Sequence, residues 1–152
     1  MPRSLSTPDA VAELIGRLQR LAPDTPRRWG TMTAHEMLCH VADSFRGVLG
    51  ERSVSKVAAG PVKRRLMRAI ALHAPLRWPR GIPTRPEVDP KRLGTRPAAF
   101  DADRQQAIAL LKRFAAPDAQ PHVHPLFGAM PAGDWMIWGY RHLDHHLRQF
   151  GL

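Results

Sequence analysis

The chain has 152 residues, 43% of them hydrophobic, with a formal net charge of +10 and one cysteine. Its length predicts a single domain over residues 1–152. No apolar run reaches the roughly 20 residues that span a bilayer, and the first residues lack a signal-peptide pattern. We therefore expect a cytoplasmic protein with no membrane partner. One cysteine excludes an intrachain disulfide and a four-cysteine zinc site, so any metal must rest on histidine and carboxylate ligands.

Two helices are predicted in the first third of the chain. Thr7 can cap the first of them, and Pro8 suits its first helical position. Thr33 and Glu36 have the spacing of a capping box at the start of the second helix, and Gly50 can take the left-handed geometry that ends it. Apolar residues recur at helical spacing in both segments, which predicts helices that each bury one face.

Residues 51–100 differ from the rest of the chain, because they carry twelve Lys and Arg against three acidic residues. A short basic helix is predicted over residues 61–72, and six prolines between positions 75 and 97 forbid a long helix after it. We expect an extended crossover laid over the other helices. Its predicted apolar anchors are Leu76, Trp78 and Ile82.

The last two core helices are predicted near residues 101–115 and 131–150, and Asp101 is the expected cap of the first of these. Four substantial helices and one long connection predict an all-α four-helix bundle. The basic, proline-rich crossover would lie between the second and third core helices.

The last helix carries the pattern with the most chemical content. On a helical wheel, His142 and His146 lie one turn apart in the middle of the apolar face, whereas His145 lies nearer the charged side. Imidazoles at i and i+4 can converge on one ion, as they do in the zinc-binding His-Glu-x-x-His helix, although the glutamate is missing here. Alternatively, both rings are core histidines that hydrogen-bond to their neighbours.

A third ligand has to come from another helix, and His40 is the best candidate by position, although the wheel places it at the edge of the apolar face. Four segments carry a family resemblance: WGTMTAHEMLCH (residues 29–40), WPRGIPT (78–84), HPLFG (124–128) and YRHLDHHLRQF (140–150). In this order they resemble the DinB/YfiT-like superfamily of metal-binding four-helix bundles over nearly the whole chain. The two middle segments resemble a branch of that superfamily whose function is not known.

The resemblance implies that His40, His142 and His146 hold one divalent metal ion, which we expect to be zinc or nickel. Three histidines leave positions open on the ion, as is typical of catalytic sites. Related proteins include thiol-dependent transferases, a thiol-dependent isomerase and hydrolases. We therefore expect a metal-dependent enzyme that acts on a small molecule, either a transferase with a low-molecular-weight thiol cosubstrate or a hydrolase, and bundles of this type often form homodimers.

Two other functions stay open. The protein could be a non-catalytic stress or interaction module that uses the metal only for stability. It could also bind nucleic acid through the basic residues 51–100, but that stretch has few aromatic residues for base stacking and no nucleic-acid-binding signature. A solvated basic surface explains the same charge without any partner.

Five further residues are candidates for supporting roles. Glu36 could be a general base, although a capping role explains it as well. Asp43 could orient an imidazole or be a surface residue. His124, in the loop before the last helix, could act as an acid or base or could anchor that loop. Gln149 is expected to hydrogen-bond inside the bundle, and Trp138 could form a wall of the pocket or belong to the core.

Overall fold

Helices account for all the regular secondary structure in the computed structural model, which describes residues 2–152. In chain order they are α1 (Pro8–Arg20), α2 (Ala34–Val48), α3 (Pro61–His73), a short 3-10 helix (Pro86–Val88), α4 (Phe100–Phe114) and α5 (Ala132–Gln149). This architecture confirms the predicted all-α class. None of these helices is long and apolar enough to cross a membrane.

The predicted starts of the first two helices are confirmed by their caps. The Thr7 side chain accepts a hydrogen bond from the backbone N–H of Ala10, and Pro8 opens α1. Thr33 and Glu36 form the complete capping box of α2, each side chain accepting from the other's backbone N–H. Such caps contribute about 1 kcal/mol each, because they satisfy N–H groups that have no partner inside the helix.

The predicted start of the third core helix, α4, needs correction. Asp101 does not cap α4, because the helix begins at Phe100 and its N-cap, Ala99, makes no side-chain hydrogen bond. Asp101 lies instead in the first turn, where its negative charge interacts favourably with the positive end of the helix dipole. The helix α5 begins at Ala132, close to the predicted position 131, and its N-cap, Pro131, also makes no side-chain hydrogen bond, so packing rather than capping places its start.

The apolar core lies between α1, α2, α4 and α5. The helix α2 packs along α4, and α1 contacts both α4 and α5, while α3 contacts α5. Burying a Leu or Phe side chain contributes about 1.5–3 kcal/mol, so this core supplies most of the favourable free energy of folding. Its fully buried large side chains include Leu14, Leu18, Met37, Leu38, Phe45, Leu110, Leu111, Phe114, Leu143 and Leu147.

Gly139 allows the elements around α5 to approach this helix closely. A Cβ atom at this position would lie 2.5 Å from Cε1 of Phe114 and 2.7 Å from Cδ1 of Leu5. The N-terminal segment is held at the same place, because the backbone N–H of Leu5 donates to the carbonyl of Met136 over 3.1 Å. The small residue therefore sets how deeply α4 and the N-terminal segment pack onto α5.

The crossover between α2 and α4 is not held by the apolar anchors that the sequence predicted. Leu76 and Ile82 are 65% and 57% exposed, so that prediction was wrong for both. Trp78 does pack against the core, and its indole N–H donates to the carbonyl of Ala71 over 2.7 Å. The first half of the crossover is therefore attached mainly through one tryptophan.

The second half of the crossover is attached to α2 by a buried ionic cluster centred on Asp43. This carboxylate has no exposed surface, and it accepts hydrogen bonds from the backbone N–H of Thr95 over 2.6 Å and from its hydroxyl over 2.8 Å. Arg46 and Arg52 form ion pairs with it at 2.9 and 3.2 Å. Arg52 also donates to the carbonyl of Glu87, so the cluster joins three parts of the chain.

Several basic residues of the 51–100 stretch have partners inside the fold. Arg68 forms an ion pair with Asp134 at 3.2 Å, and Lys91 lies 3.5 Å from Glu36. Arg64 donates to the carbonyl of Val57. Part of the positive charge therefore serves to attach the crossover and α3 to the bundle. Nucleic-acid binding through this stretch stays an untested alternative, which the sequence did not favour.

Candidate metal centre

Two helices bring three imidazole rings together inside the bundle. His40 comes from the middle of α2, and His142 and His146 from successive turns of α5. The ring centroid of His40 is 5.4 Å from that of His142 and 4.6 Å from that of His146, and the last two centroids are 4.9 Å apart. One ring nitrogen of each lies within 4.8 Å of those of the other two. The structure therefore brings together the three histidines that were predicted as ligands.

His40 is buried, although the spacing along α2 placed it at the edge of the apolar face. Its Nδ1 lies 2.8 Å from the backbone carbonyl of Val88 in the 3-10 helix. A carbonyl oxygen can only accept, so Nδ1 carries the proton and Nε2 keeps its lone pair. The crossover thus covers the edge of α2 and selects the tautomer whose Nε2 is free to bind a metal.

His146 is oriented by Gln149, one turn further along α5. Its Nδ1 lies 3.2 Å from Oε1 of Gln149, whose amide nitrogen donates to the carbonyl of Trp29 over 2.9 Å. Because that second bond identifies the amide oxygen as the acceptor, Nδ1 of His146 donates and Nε2 keeps its lone pair. Gln149 is buried, and both of these hydrogen bonds lie inside the bundle.

Trp138 forms one side of the centre. Its ring is stacked on that of His142, with centroids 5.0 Å apart and planes 9° apart. Both side chains are buried, and Trp138 also contacts Phe45 edge to face. The stacking leaves the imidazole little freedom to rotate.

The donor set fits a divalent ion. Nδ1 of His142 is buried and has no hydrogen-bond partner among residues 2–152. An unpaired buried polar atom costs about 1–3 kcal/mol, so this ring lacks a partner that an ion or an ordered water would supply. Neutral histidine nitrogens are also ligands that zinc and nickel both accept.

Burial keeps all three imidazoles in the neutral form that coordinates metals. It lowers the pKa of His40 below the usual 6.5, even though Val88 and two aspartates act in the opposite direction. Burial lowers the pKa values of His142 and His146 well below 6.5, and the neighbouring imidazoles lower them further. Metal binding at neutral pH therefore does not have to displace protons from these rings.

The other predicted supporting residues lie outside the cluster. Oε2 of Glu36 accepts from the N–H of Thr33, which supports the capping role. Asp43 is fully buried, so the surface alternative was wrong, and the hydrogen bonds it accepts come from Thr95 and Arg46 rather than from an imidazole. Its contribution to the centre is indirect, because it holds the crossover that covers His40.

His124 anchors the loop before α5. Its Nδ1 accepts from the backbone N–H groups of Leu126 and Phe127, both over 3.1 Å, and its ring stacks on that of Phe127. Burial lowers its pKa to about 3, so the ring is neutral at physiological pH. These contacts support the anchoring role and leave the predicted acid–base role without a contact to the cluster.

Three residues near the centre were missed by the sequence argument. The ring of Trp78 lies 6.3 Å from that of His142, and the ring of Trp29 lies 6.0 Å from that of His145. His145 itself lies 5.3 Å from His146, between the centre and the surface. Both tryptophans belong to segments that carried the family resemblance, which was the available signal for them.

A second group of donor atoms, outside the predicted site, joins α2 to α4. His35 lies 2.7 Å from Oδ2 of Asp103, and the buried Cys39 completes the group. Burial, and next the charge of Asp103, raise the pKa of the Cys39 thiol to about 12. The thiol is therefore protonated at neutral pH and is not an activated nucleophile.

Comparison with known proteins identifies the family. The chain belongs to the DinB superfamily, whose family model matches residues 6–150, nearly its whole length. No curated protein and no solved structure matches it. The predicted superfamily is therefore confirmed, but a shared fold does not define the reaction, which depends on the residues of the site.

Proposed function

We propose that this chain is a metal-dependent enzyme in which His40, His142 and His146 hold one divalent ion, zinc or nickel. The observation that carries the proposal is the convergence of three neutral imidazoles, two of which donate their other ring N–H to Val88 and Gln149. Zinc-binding histidines almost always make such an outer hydrogen bond, because it fixes the tautomer and the ring orientation. A bound ion would supply Lewis acidity, lowering the pKa of a coordinated water toward about 7 or activating a thiol.

Two features favour a catalytic centre over a closed structural one. Among residues 2–152, no fourth His, Cys, Asp or Glu completes this group of three donors, which leaves coordination positions for water or substrate. His146 is also partly exposed, whereas His40 and His142 are buried. A small molecule could therefore reach the ion on the side of His146, while His40 and His142 would hold it on the buried side.

The reaction class that we propose is thiol-dependent group transfer, with a low-molecular-weight thiol as cosubstrate, or hydrolysis of a small molecule. Both reactions use an open position on the ion, the first for a thiolate and the second for water. A single cytoplasmic domain that forms a homodimer is part of the same proposal. Its alternative is a module in which the ion contributes only stability.

Elemental analysis of the purified protein tests the metal site. We expect about one equivalent of zinc or nickel per chain, lost in the His142→Ala and His146→Ala variants and retained in His73→Ala. His73 is a matched control, because it is half exposed and pairs with Asp134 outside the cluster. A wild-type protein that binds neither metal at near-stoichiometric concentrations would refute the proposal.

The reaction class is tested on metal-loaded protein with electrophilic substrates in the presence and absence of thiols, and with activated esters. Turnover that requires both a thiol and the metal identifies a transferase, and turnover of esters without a thiol identifies a hydrolase. Metal binding without turnover in either screen, together with a large loss of thermal stability on chelation, favours the stability module.

A further inference from the structure

A surface pocket of about 560 Å³ opens next to the three-histidine cluster. His145 and Trp78 line the pocket, and their rings lie 5.3 Å from His146 and 6.3 Å from His142, respectively. Pockets of several hundred Å³ are the usual size for small organic ligands. A molecule in this pocket would therefore lie one side chain away from the proposed metal ion.

The lining of the pocket is strongly positive. Arg28, Arg77 and Arg80 line it, and none of the three forms an ion pair within the part of the chain that the structure describes. The one acidic side chain of the lining, Asp144, is already paired with Arg17 at 2.8 Å and with Arg148 at 3.0 Å. The unpaired guanidinium groups are thus left to attract an anion, and the planar guanidinium fork pairs bidentately with a carboxylate or a phosphate.

Flat aromatic surfaces flank these charges. The rings of Trp29 and Trp78 each lie 6.0 Å from that of His145, and the guanidinium of Arg80 lies 4.4 Å above the Trp29 ring. Tryptophan faces favour planar unsaturated groups, and an arginine stacked on one of them can meet an anionic substituent in the same plane. The lining therefore combines charge recognition with a surface for stacking.

The walls of the pocket are held in place before any ligand binds. Trp78 is fixed by its hydrogen bond to Ala71, and Arg141 donates to the carbonyl groups of Leu72 and Ala74 at the end of α3. On the other side, the backbone N–H of Arg28 donates to the carbonyl of Gln149 over 2.7 Å. Walls that are already ordered reduce the entropy that a ligand loses on binding.

We propose that this pocket binds a small planar carboxylate, aromatic or conjugated, with its carboxylate on Arg28, Arg77 or Arg80 and its flat part against Trp29 and Trp78. The inference that this molecule is the substrate rests on the proposed metal-dependent function. The binding itself does not rest on that function, because none of the three metal-binding candidates lines the pocket. Failure of one proposal is therefore distinguishable from failure of the other.

Isothermal titration calorimetry of the full chain with 2-naphthoate tests the binding, and 2-naphthamide serves as its neutral analogue. We expect naphthoate to bind at least about tenfold more tightly than the amide, because a charge-assisted hydrogen bond is worth more than one tenfold step in affinity. Arg80→Gln and Trp78→Leu should each weaken naphthoate binding about tenfold. Arg96→Gln should not, because that exposed arginine lies outside the pocket.

The same titrations with and without added zinc separate the pocket from the metal. Naphthoate binding that persists without zinc and falls in the Arg80 variant supports the pocket, whatever the outcome of the metal analysis. Binding that requires zinc and is unchanged in both pocket variants means that the carboxylate sits on the ion, which overturns the proposal. Equal affinity for the acid and the amide, or no binding of either, overturns it as well.

Discussion

The imidazole Nδ1 of His40 lies 2.8 Å from the carbonyl oxygen of Val88, a residue 48 positions further along the chain. Through this contact, the crossover between α2 and α4 becomes part of the candidate metal centre. The proline-rich crossover covers a histidine that would otherwise lie at a helix edge, and it selects the protonated nitrogen. Changes that loosen the crossover should therefore affect the metal as well as the fold.

Substitution of Asp43 tests this coupling. Asp43→Ala removes a fully buried carboxylate from Arg46, Arg52 and the backbone N–H of Thr95, so we expect a loss of about 3 kcal/mol in the free energy of unfolding. Urea unfolding measures the loss. The slope of the free energy of unfolding against urea concentration is compared between the variants, because an unchanged slope shows that only the stability has changed. Zinc affinity should fall in parallel, because the crossover that carries Val88 loses its attachment to α2 through Thr95, although the contacts of Arg52 and His40 remain.

Asp101→Ala is the matched control for this experiment. Its side chain is 84% exposed and pairs with Arg104 on the same helix, so its removal should cost less than about 1 kcal/mol. It should also leave zinc affinity unchanged. Equal effects of the two substitutions would contradict the structural role assigned to Asp43.

Gln149 should control metal affinity without being a ligand. Gln149→Leu removes the acceptor for Nδ1 of His146 and frees the imidazole to adopt the other tautomer, so we expect zinc affinity to fall about 10–100-fold. Gln149→Glu keeps an acceptor oxygen and should retain more of the affinity than the leucine variant. Competition with a chromogenic chelator measures both, and wild-type affinity in the leucine variant would show that the hydrogen bond has no such role.

Alanine substitutions at two helical glycines, Gly139 and Gly16, should have opposite effects on the stability of the protein. Gly139→Ala places a methyl group 2.5 Å from the Phe114 ring, and overpacking of this kind costs about 1–3 kcal/mol. Gly16→Ala, in the middle of α1, meets nothing within 4 Å and should stabilise the protein by up to about 1 kcal/mol through helix propensity. Thermal unfolding distinguishes the two variants. If the Gly139 variant were as stable as the wild type, α4 and the N-terminal segment would have to be able to move away from α5.

His124 should make folding stability depend on pH. Its pKa is lowered from 6.5 to about 3 in the folded protein, so the unfolded chain binds one proton more between these values. Stability contributed by the neutral ring is therefore complete above pH 6.5 and is lost progressively as the pH falls toward 3. His124→Asn keeps an acceptor for the loop N–H groups but does not titrate, so its melting temperature should fall less steeply with acidification. Parallel pH profiles for the two proteins would contradict the neutral, buried state of this ring.

Much of the fold could be predicted because its signals are local. The capping box of Thr33 and Glu36 depends on residues within one turn, and so does the placement of His142 and His146 on one face of α5. The apolar anchors of the crossover were predicted wrongly at Leu76 and Ile82, because hydrophobicity alone does not tell whether a partner surface is present. The start of α4 was also misjudged, since an aspartate in the first turn gains from the helix dipole nearly as it would at the cap.

By itself, the sequence determined the helices and the pairing of two histidines on one of them, because periodicity and capping act over a few residues. The superfamily came from the resemblance of four segments, which the family match over residues 6–150 confirms. Only the tertiary structure decided that His40 is buried, since Val88 covers it from the crossover. The same holds for Asp43, which looked equally suited to a surface, and for the pocket that Trp29 and Trp78 form beside His145. Those contacts join residues far apart in the chain, and no local pattern specifies which element will cover the edge of a helix.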